Sequence, residues 1–372
     1  MPPTSLSKLR KSKAKSLPKD DGKKKQNQFG FTFATPTTIK TNDPVQFHKD
    51  LVAQRDAVGL VQAKFIQGVD RNGVLDGTDL RLTSQAFGQL CHAAEVPVKF
   101  IKKLCEVEPD TALDAMQAMI RKVFHGGALK MLVTDERDQS VLGVVGEKTY
   151  KPFDNVAAFD AAMQSMKAVE LTTATLDGGQ MRASFVDPDT KRDVHPKSKN
   201  GDIIQFGVAA GNSIDGSTSA YIEEFNLRLV CTNGMTRRDK GGRFQYMHRN
   251  DDLSDVYAAS ALAISKNYEQ TCALMEASAN ATLETEDAVN EVMAFVADAR
   301  NGGGKLVAEA AFGVAQDEAT KEGGNPDRPT LWNIVNGVTQ VGRDTERTQK
   351  RTNLEALGYR TMMRFGVPLL NS

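Results

Sequence analysis

Hydrophobic residues follow helical spacing in the first part of the chain. Between residues 43 and 125, apolar positions recur three or four residues apart, as expected for helices with one buried face. Asp43-Pro44 and Thr83-Ser84 are typical helix starts, because a side-chain cap or a proline suits the first helical turn. Pro97 separates two of the helices. We therefore expect a helical N-terminal subdomain over residues 41–125.

The spacing changes to that of β-strands after residue 126 and returns to helical after residue 250. Two β-like runs flank Gly178-Gly179, a pair typical of a tight hairpin, and a helix is expected to begin at Asp154 or Asn155. Residues 126–250 thus predict an antiparallel β-rich core that carries at least one packed helix. Residues 251–372 predict a helical C-terminal region. The predicted fold class is α+β.

The charge of the chain is zero overall but is distributed unevenly. Residues 1–40 contain ten Lys and Arg against two Asp, which leaves 37 basic and 45 acidic residues in the remainder. The first 28 residues are rich in Lys, Ser and Pro and lack apolar periodicity, so residues 1–40 are expected to form a disordered basic tail. Alternating apolar and polar residues favour an edge strand over 29–36 within it.

Composition excludes several classes of protein. No apolar run approaches the 18 residues that a transmembrane helix needs, and no apolar segment typical of a secretory signal follows the basic start, so we expect no membrane association. The four cysteines are scattered and form neither a CxxC pair nor a ligand-spaced cluster with histidine. We therefore expect no metal, no cofactor and a cytoplasmic location.

Two basic segments are candidates for contact with nucleic acid, because flexible cations neutralise phosphates and aromatic rings stack on bases. A solubilising tail and a solvated loop are the alternatives. The tail candidates are Lys8, Arg10, Lys11, Lys13, Lys15, Lys23, Lys24 and Lys25. The candidates in the second segment are Arg237, Arg238, Lys240 and Arg243 for phosphate contact, with Phe244 and Tyr246 for stacking.

Other motifs are less specific. Residues 82–105 resemble a helix-turn-helix that would present Lys99 and Lys102, although a helical hairpin in the core explains the same pattern. The loop over 211–218 lacks the lysine of a phosphate-binding loop, since Ser217 occupies that position. No enzyme motif is present, so we lean towards a non-enzymatic protein, and Asp177 with Asp215 are the candidates for a metal-dependent nuclease.

Four stretches occur in order along the chain: LTSQAFGQLCHAAEVPVKFIKKL, VVGEKTYKPFDN, GNSIDGSTSAYIEEFNLRLVCTNGM and LWNIVNGVTQVGR. Together they resemble a family of phage/plasmid-like proteins known as domain of unknown function 932. The resemblance spans residues 80–345 and does not include the lysine-rich tail. It implies an origin in a phage, plasmid or other mobile element, and it supplies no catalytic residue.

The motif residues of this family fit structural roles, because turn formers, helix caps and strand ends account for each residue type. They are Tyr150, Pro152, Asp154, Asn155, Asn212, Asp215, Gly216, Cys231, Asn233, Trp332 and Asn336.

The main functional hypothesis is a non-enzymatic protein of a phage or plasmid that binds nucleic acid, preferably single-stranded DNA. Replication, recombination or annealing, and protection of incoming DNA are its expected uses, with a possible homo-oligomer. The principal alternative is a virion-associated or partner-assembling protein that contacts a phage or host protein. A metal-dependent nuclease or hydrolase and a helix-turn-helix regulator are the remaining alternatives.

Overall fold

The computed structural model describes residues 33–126, 129–166, 169–195, 202–229, 233–237, 242–249, 253–298, 300, 303–345 and 348–370. The strands are β1 (Thr38–Thr41), β2 (Val58–Gln62), β3 (Arg81–Leu82), β4 (Leu129–Asp135), β5 (Ser140–Gly146), β6 (Glu170–Asp177), β7 (Gln180–Val186), β8 (Arg192–Asp193), β9 (Ile203–Ser213), β10 (Ala220–Arg228), β11 (Asn233–Arg237) and β12 (Arg243–Tyr246). The helices are α1 (Pro44–Ala57), α2 (Ser84–Ala93), α3 (Val98–Val107), α4 (Pro109–Arg121), α5 (Asn155–Gln164), α6 (Ser254–Ser265), α7 (Tyr268–Asn280), α8 (Glu286–Ala297), α9 (Lys305–Lys321), α10 (Leu331–Arg343) and α11 (Thr348–Leu370).

The predicted α+β class is confirmed, with a central antiparallel sheet and a helical C-terminal region. The large sheet has the order β1-β6-β7-β9-β10-β11, and β12 and β8 pair with β10 and β9 respectively. Its pairings are antiparallel throughout. Gly178-Gly179 forms the predicted hairpin turn, since Asp177 faces Gln180 in register and Gly178 takes the left-handed φ of +55°.

A second, four-stranded sheet in the order β2-β4-β5-β3 differs from the prediction. The sequence pattern assigned β4 and β5 to the central sheet and the segment before residue 125 to helices. The structure instead pairs β4 with β2 and places β5 parallel to β3. Both missed strands are short, and β2 continues directly from α1, so hydrophobic spacing alone does not separate it from the helix.

The predicted helix starts are confirmed by capping hydrogen bonds. Asp43 accepts from the backbone N–H groups of Val45 and Gln46, and Thr83 accepts from that of Ala86. Asp154 and Thr330 cap α5 and α10 in the same way. These side chains satisfy backbone donors that the first helical turn leaves unpaired.

The N-terminal edge of the large sheet lies later in the chain than predicted. The structure describes β1 at Thr38–Thr41, paired with β6, and only an isolated bridge between Ala34 and Thr83 within the predicted range 29–36. Residues 29–32 lie outside the described residues. Proline at position 36 has no backbone N–H to give to a ladder, which favours pairing after it.

Helices α2 and α3 form a hairpin whose buried residues join the core of the four-stranded sheet. Glu95 takes the left-handed φ of +62° in the turn, where a glycine is usual in a helix-turn-helix. The core of the large sheet lies on one face, beneath α1, α5 and α6. Within the described part of the chain, no helix is both long and apolar enough to cross a bilayer.

Candidate functional site

A groove of about 740 Å³ lies on the face of the large sheet opposite α1, α5 and α6. Because side chains alternate along a strand, one face of each strand faces the hydrophobic core and the other faces this groove. The end of α10 and the start of α11 contribute its second wall. Hydroxyl and amide side chains of the strands include Thr173, Thr175, Gln180, Ser184, Tyr221 and Gln245. We call this cavity the sheet groove.

The wall and floor of the sheet groove hold a chain of alternating charges. Arg351 Nε lies 3.0 Å from Glu355 Oε1, and Glu355 Oε2 lies 3.0 Å from Arg182 Nη2. Arg182 Nη2 is 3.9 Å from Glu223 Oε1, and Glu223 Oε2 is 2.7 Å from Arg243 Nη1. The Glu223 side chain is fully buried. Strands β7, β10 and β12 and helix α11 each contribute to this network, so it joins the helical region to the sheet.

Arg182 remains charged within this network. Burial lowers the pKa of its guanidinium, but Tyr221, Glu355 and Glu223 outweigh burial and raise the pKa above its usual value. Arg243 lies with its guanidinium 4.2 Å from the centre of the Tyr221 ring, the arrangement of a cation–π contact. The carboxylates and the ring therefore hold both guanidinium groups in fixed orientations at the groove floor.

Phe244 and Tyr246, the residues predicted to stack on bases, lie on the opposite face of the sheet from Arg243. In β12, Phe244 and Tyr246 face Ile222 and Ala220 on the core side of the sheet, whereas Arg243 faces the groove. Both aromatic rings are half-buried, and the Tyr246 hydroxyl lies 2.5 Å from Ser260 Oγ on α6. The two-residue period of the strand separates the arginine from the aromatic residues, so they do not form one surface.

The remaining predicted nucleic-acid contacts are described only in part. Arg237 belongs to β11 and faces Glu224 in register. Arg238, Lys240 and the tail residues Lys8, Arg10, Lys11, Lys13, Lys15, Lys23, Lys24 and Lys25 lie outside the described residues.

A second cavity of about 520 Å³ adjoins the sheet groove at the Gly178-Gly179 hairpin, and we call it the hairpin cavity. Asp177 and Gln180 line both cavities. Phe33, the first described residue, falls within the predicted tail of residues 1–40, but it lines the hairpin cavity and packs on Phe87 with ring centroids 5.0 Å apart. Residues 1–32, which we call the basic tail from here on, therefore join the folded chain at the wall of the hairpin cavity.

The family-motif residues Asn155 and Asn212 meet in a buried cluster of amides. Asn212 Nδ2 donates to the carbonyl of Phe153 at 2.7 Å and to Asn155 Oδ1 at 2.9 Å. Asn155 Nδ2 donates to Gln54 Oε1 at 2.9 Å, and Gln54 Nε2 donates to the carbonyl of Gly178. These contacts join α1, α5, β9 and the β6–β7 turn. We call Gln54, Asn155 and Asn212 the amide node.

The loop after Asn212 packs against the Tyr150 turn. The Tyr150 hydroxyl donates to the carbonyl of Ile214 at 2.6 Å, and Gly216 takes the left-handed φ of +71° beside the Tyr150 ring. Asp215 Oδ1 accepts from Ser217 N at 2.9 Å and from Ser217 Oγ at 2.5 Å. Burial raises the pKa of Asp215, and the bonds from Ser217 only partly offset this. Pro152 lies between Tyr150 and the capping residue Asp154.

Trp332 and Asn336 lie in the C-terminal helical region. Trp332 Nε1 donates to Asp202 Oδ2 at 2.5 Å, and Asp202 Oδ1 is 2.6 Å from Arg228 Nε. Asn336 lines a small buried cavity beside Arg228. Cys231 lies outside the described residues, and Asn233 begins β11.

The nuclease candidates Asp177 and Asp215 come close together in the structure. Asp177 and Asp215 both line the hairpin cavity. No group of three His, Cys, Asp or Glu residues with ligand geometry occurs in the described ranges. The sequence did not single out the groove residues Arg182, Glu223 and Glu355. The polar alternation of Thr173 and Thr175 in β6 was the available signal.

A family model described as "Domain of unknown function (DUF932)" matches residues 141–358 of the 372-residue chain. The protein belongs to the DUF932 family. The match includes the sheet groove network and three of the four stretches that carried the resemblance, whereas residues 82–104 precede it. No curated protein and no solved structure matches the chain. The DUF932 region begins with β5, so most of the four-stranded sheet lies before it.

Proposed function

We propose that this DUF932 protein binds nucleic acid, preferably single-stranded DNA, along the sheet groove. The observation that supports the proposal is the arrangement of polar and basic side chains along a groove that adjoins the hairpin cavity. The basic tail joins the chain at that same cavity. Residues 1–32 contain nine Lys and Arg and two Asp, so the tail would add cations at the point where the bound DNA strand leaves the groove.

Positive charge in the sheet groove is suited to a phosphate backbone. Five basic residues and three acidic residues line it. Arg182 and Arg243 are held by buried carboxylates, so they would offer oriented N–H groups at the floor, while Lys40, Arg343 and Arg351 lie along the walls. A planar guanidinium held in place is well suited to bind phosphate oxygens.

Single strands are the preferred ligand of this proposal, because the groove is a cavity between a sheet face and a helix. The hydroxyl and amide groups of the groove can hydrogen bond to the unpaired base edges and sugars of a single strand. In a duplex the base edges are paired with each other and are not presented to the groove floor. The expected setting is the cytoplasm of a host that carries a phage or plasmid, with replication, recombination, annealing or DNA protection as the use. Homo-oligomers and phage or host proteins are proposed as further partners.

Assembly through protein contacts is a second candidate function, and one observation favours it. Helix α6 exposes Val256 and Leu262, and Met247, which follows β12, is 63 % exposed. Exposed apolar side chains of this size can contribute to an interaction surface. A complex that persists at high salt without nucleic acid, measured by light scattering, would favour this candidate.

Fluorescence anisotropy with labelled single-stranded and duplex DNA tests the proposed interface. Four forms are compared over a range of salt concentrations: the full chain, the chain without residues 1–32, a Lys40→Gln/Arg351→Gln variant, and a Lys305→Gln/Lys321→Gln control. The truncation ends at residue 32 so that Phe33 and β1 remain in the chain. Removal of the whole predicted tail, residues 1–40, would disrupt both. The control removes the same charge from α9, which contributes no lining residue to the sheet groove or hairpin cavity.

We expect the full chain to bind single strands more tightly than duplex. The groove variant should lose about tenfold in affinity, and the tail deletion should lower the salt dependence of binding by roughly 0.7 in log–log slope for each phosphate contact removed. The α9 control should bind like the full chain. Equal affinities of the groove variant and the α9 control would contradict the proposal.

A further inference from the structure

A third cavity, of about 820 Å³, lies outside the sheet groove between α2, the end of α4 and the Gly216 loop. We propose that this α2 cavity binds a nucleoside monophosphate. The α2 cavity and the sheet groove share no lining residue, so binding in the α2 cavity does not depend on nucleic-acid binding in the groove. The volume falls within the range of roughly 300–1,000 Å³ that is typical of small-molecule sites.

Charge in the α2 cavity has one sign. His92, Lys122 and Arg249 line it, and its lining contains no acidic residue. The sheet groove and the hairpin cavity, by contrast, each have aspartates in their walls. Glu95, an exposed residue 3.8 Å from Lys122 Nζ, is the nearby carboxylate. Two cations, Lys122 and Arg249, and the His92 imidazole come from separate segments and converge on one cavity, which predicts an anionic ligand.

The walls that present these cations are held by hydrogen bonds. The Gln89 side chain donates to the carbonyl of Asp215 at 2.9 Å and accepts from the N–H of Val144 at 2.8 Å, so it joins α2, β5 and the Gly216 loop. Lys122 Nζ donates to the carbonyl of Ala94 at 3.1 Å. Such contacts fix the cavity before a ligand arrives, which lowers the entropy cost of binding.

Arg249 is presented by an anchored turn. The preceding residue, His248, is buried, and its carbonyl accepts from the N–H of Lys151 at 2.8 Å. The His248 ring stacks on Tyr150, with centroids 5.5 Å apart, and its Nε2 lies 3.2 Å from the carbonyl of Thr218. The guanidinium therefore extends from a backbone position that the family-motif turn at Tyr150 holds in place.

One wall of the cavity is apolar, and this favours a base in addition to a phosphate. Ala93, Val123 and Val144 are among the lining residues of the cavity. Gly88 lies on the α2 face between the two glutamines, and a Cβ built there meets no described heavy atom within 4 Å. An apolar wall beside the two cations Lys122 and Arg249 matches the two parts of a nucleotide, a planar base and a phosphate monoester.

Isothermal titration calorimetry of the full chain with dAMP tests the proposal, with deoxyadenosine and inorganic phosphate as comparison probes. Gly88→Phe fills the cavity, whereas Gly88→Ala adds one methyl group to open space and suits the helix. Lys122→Gln/Arg249→Gln removes two cations. Lys40→Gln/Arg351→Gln, in the sheet groove, is the matched control for lost charge. Thermal unfolding of each variant checks that it folds.

We expect dAMP to bind at least tenfold more tightly than either comparison probe. Gly88→Phe should abolish binding, Lys122→Gln/Arg249→Gln should weaken it at least tenfold, and Gly88→Ala and the groove variant should leave it unchanged. Absence of dAMP binding to the full chain would overturn the proposal. Binding that survives in folded Gly88→Phe, or that the groove variant abolishes instead, would also overturn it. Because the groove variant is tested in both assays, failure of either site is distinguishable from failure of the other.

Discussion

The large sheet carries two clusters of buried polar side chains that differ in charge. The amide node is neutral, and each of its residues donates to a carbonyl oxygen of the protein backbone or of another amide in the node. The network of the sheet groove consists of carboxylates and guanidinium groups, and Arg182 and Arg243 also line an open groove. Neutral amides can be buried with little penalty when they are hydrogen bonded, whereas buried charges are costly.

This difference separates the residues that determine the fold from those that could bind a ligand. The family motifs around Tyr150, Asn155 and Asn212 supply hydrogen bonds that join separate elements of the fold. Neutral groups are suited to this role because they can be buried at little cost when they are hydrogen bonded. The groove network includes Glu223, a fully buried carboxylate with a guanidinium on either side, at the floor of a cavity. Because burying such charges costs stability, their position in a groove supports a functional role.

Removing the central charge of the groove network should have the largest effect. Glu223→Gln leaves two guanidinium groups, each less than a fifth exposed, without their shared carboxylate, so the free energy of unfolding should fall by about 3 kcal/mol. The groove becomes more positive at the same time, so affinity for single-stranded DNA should rise. Urea denaturation and anisotropy measure the two effects.

The exposed glutamate Glu309 provides the control for that variant. Glu309→Gln removes a carboxylate 3.8 Å from Lys305 Nζ on the surface of α9, and its effect on unfolding should stay within about 0.5 kcal/mol. A Glu223→Gln protein as stable as this control would show that the groove charges are not coupled as the distances indicate.

Removing an amide from the node should affect stability alone. Asn155→Ala leaves Oε1 of Gln54 without its donor and Nδ2 of Asn212 without one of its two acceptors, so we expect a loss of about 2 kcal/mol in the free energy of unfolding. Asn155 is the node residue to change, because Asn212 also lines the sheet groove and Asn155 does not. Affinity for DNA should not change in the folded variant. Asn280→Ala, at an exposed position at the end of α7, is the control and should cost less than about 0.5 kcal/mol. A selective loss of DNA binding in Asn155→Ala would contradict the separation of the two clusters.

The sequence predicted local features of the fold well because their causes are local. Helix caps at Asp43, Thr83 and Asp154 depend on a side chain and the backbone two or three residues away, and the Gly178 turn depends on its own φ angle. Strand β2 was missed because its partner, β4, is 67 or more residues away in the chain, and short apolar runs do not reveal such pairing.

The candidate site was predicted less well, for a physical reason. Phe244 and Arg243 are adjacent in sequence, and the grouping of basic and aromatic residues in this segment predicted one binding surface. The strand alternation places them on opposite faces of the sheet. Arg182 and Glu355 are 173 residues apart and meet only after α11 packs on the sheet. A binding surface assembled from distant elements leaves little trace in a single sequence, apart from the polar alternation of the strands.

The smallest predicted effect concerns Asp215, the charged residue in the loop that follows the amide node. Burial raises its pKa in the folded protein above the value of about 3.9 expected in the unfolded chain. Folded protein therefore holds the proton more tightly, and the stability that the protonated carboxyl contributes is present at low pH. That contribution is lost as the pH rises through the folded pKa. Asp215→Asn cannot titrate and can still accept from Ser217, so it should gain stability relative to the natural chain between pH 4 and pH 7.

Asp298→Asn provides a comparison with the opposite sign. Hydrogen bonds from Arg300 lower the pKa of Asp298, so its contribution is present above the unfolded pKa and is lost as the pH falls. Urea denaturation of both variants and the natural chain at pH 4 and pH 7 measures each difference, while titrations common to all three proteins cancel. As the pH rises, the free energy of unfolding of Asp215→Asn should increase relative to the natural chain. That of Asp298→Asn should decrease relative to it. A parallel shift in both variants would show that Asp215 is not held in the buried position that links its loop to the amide node.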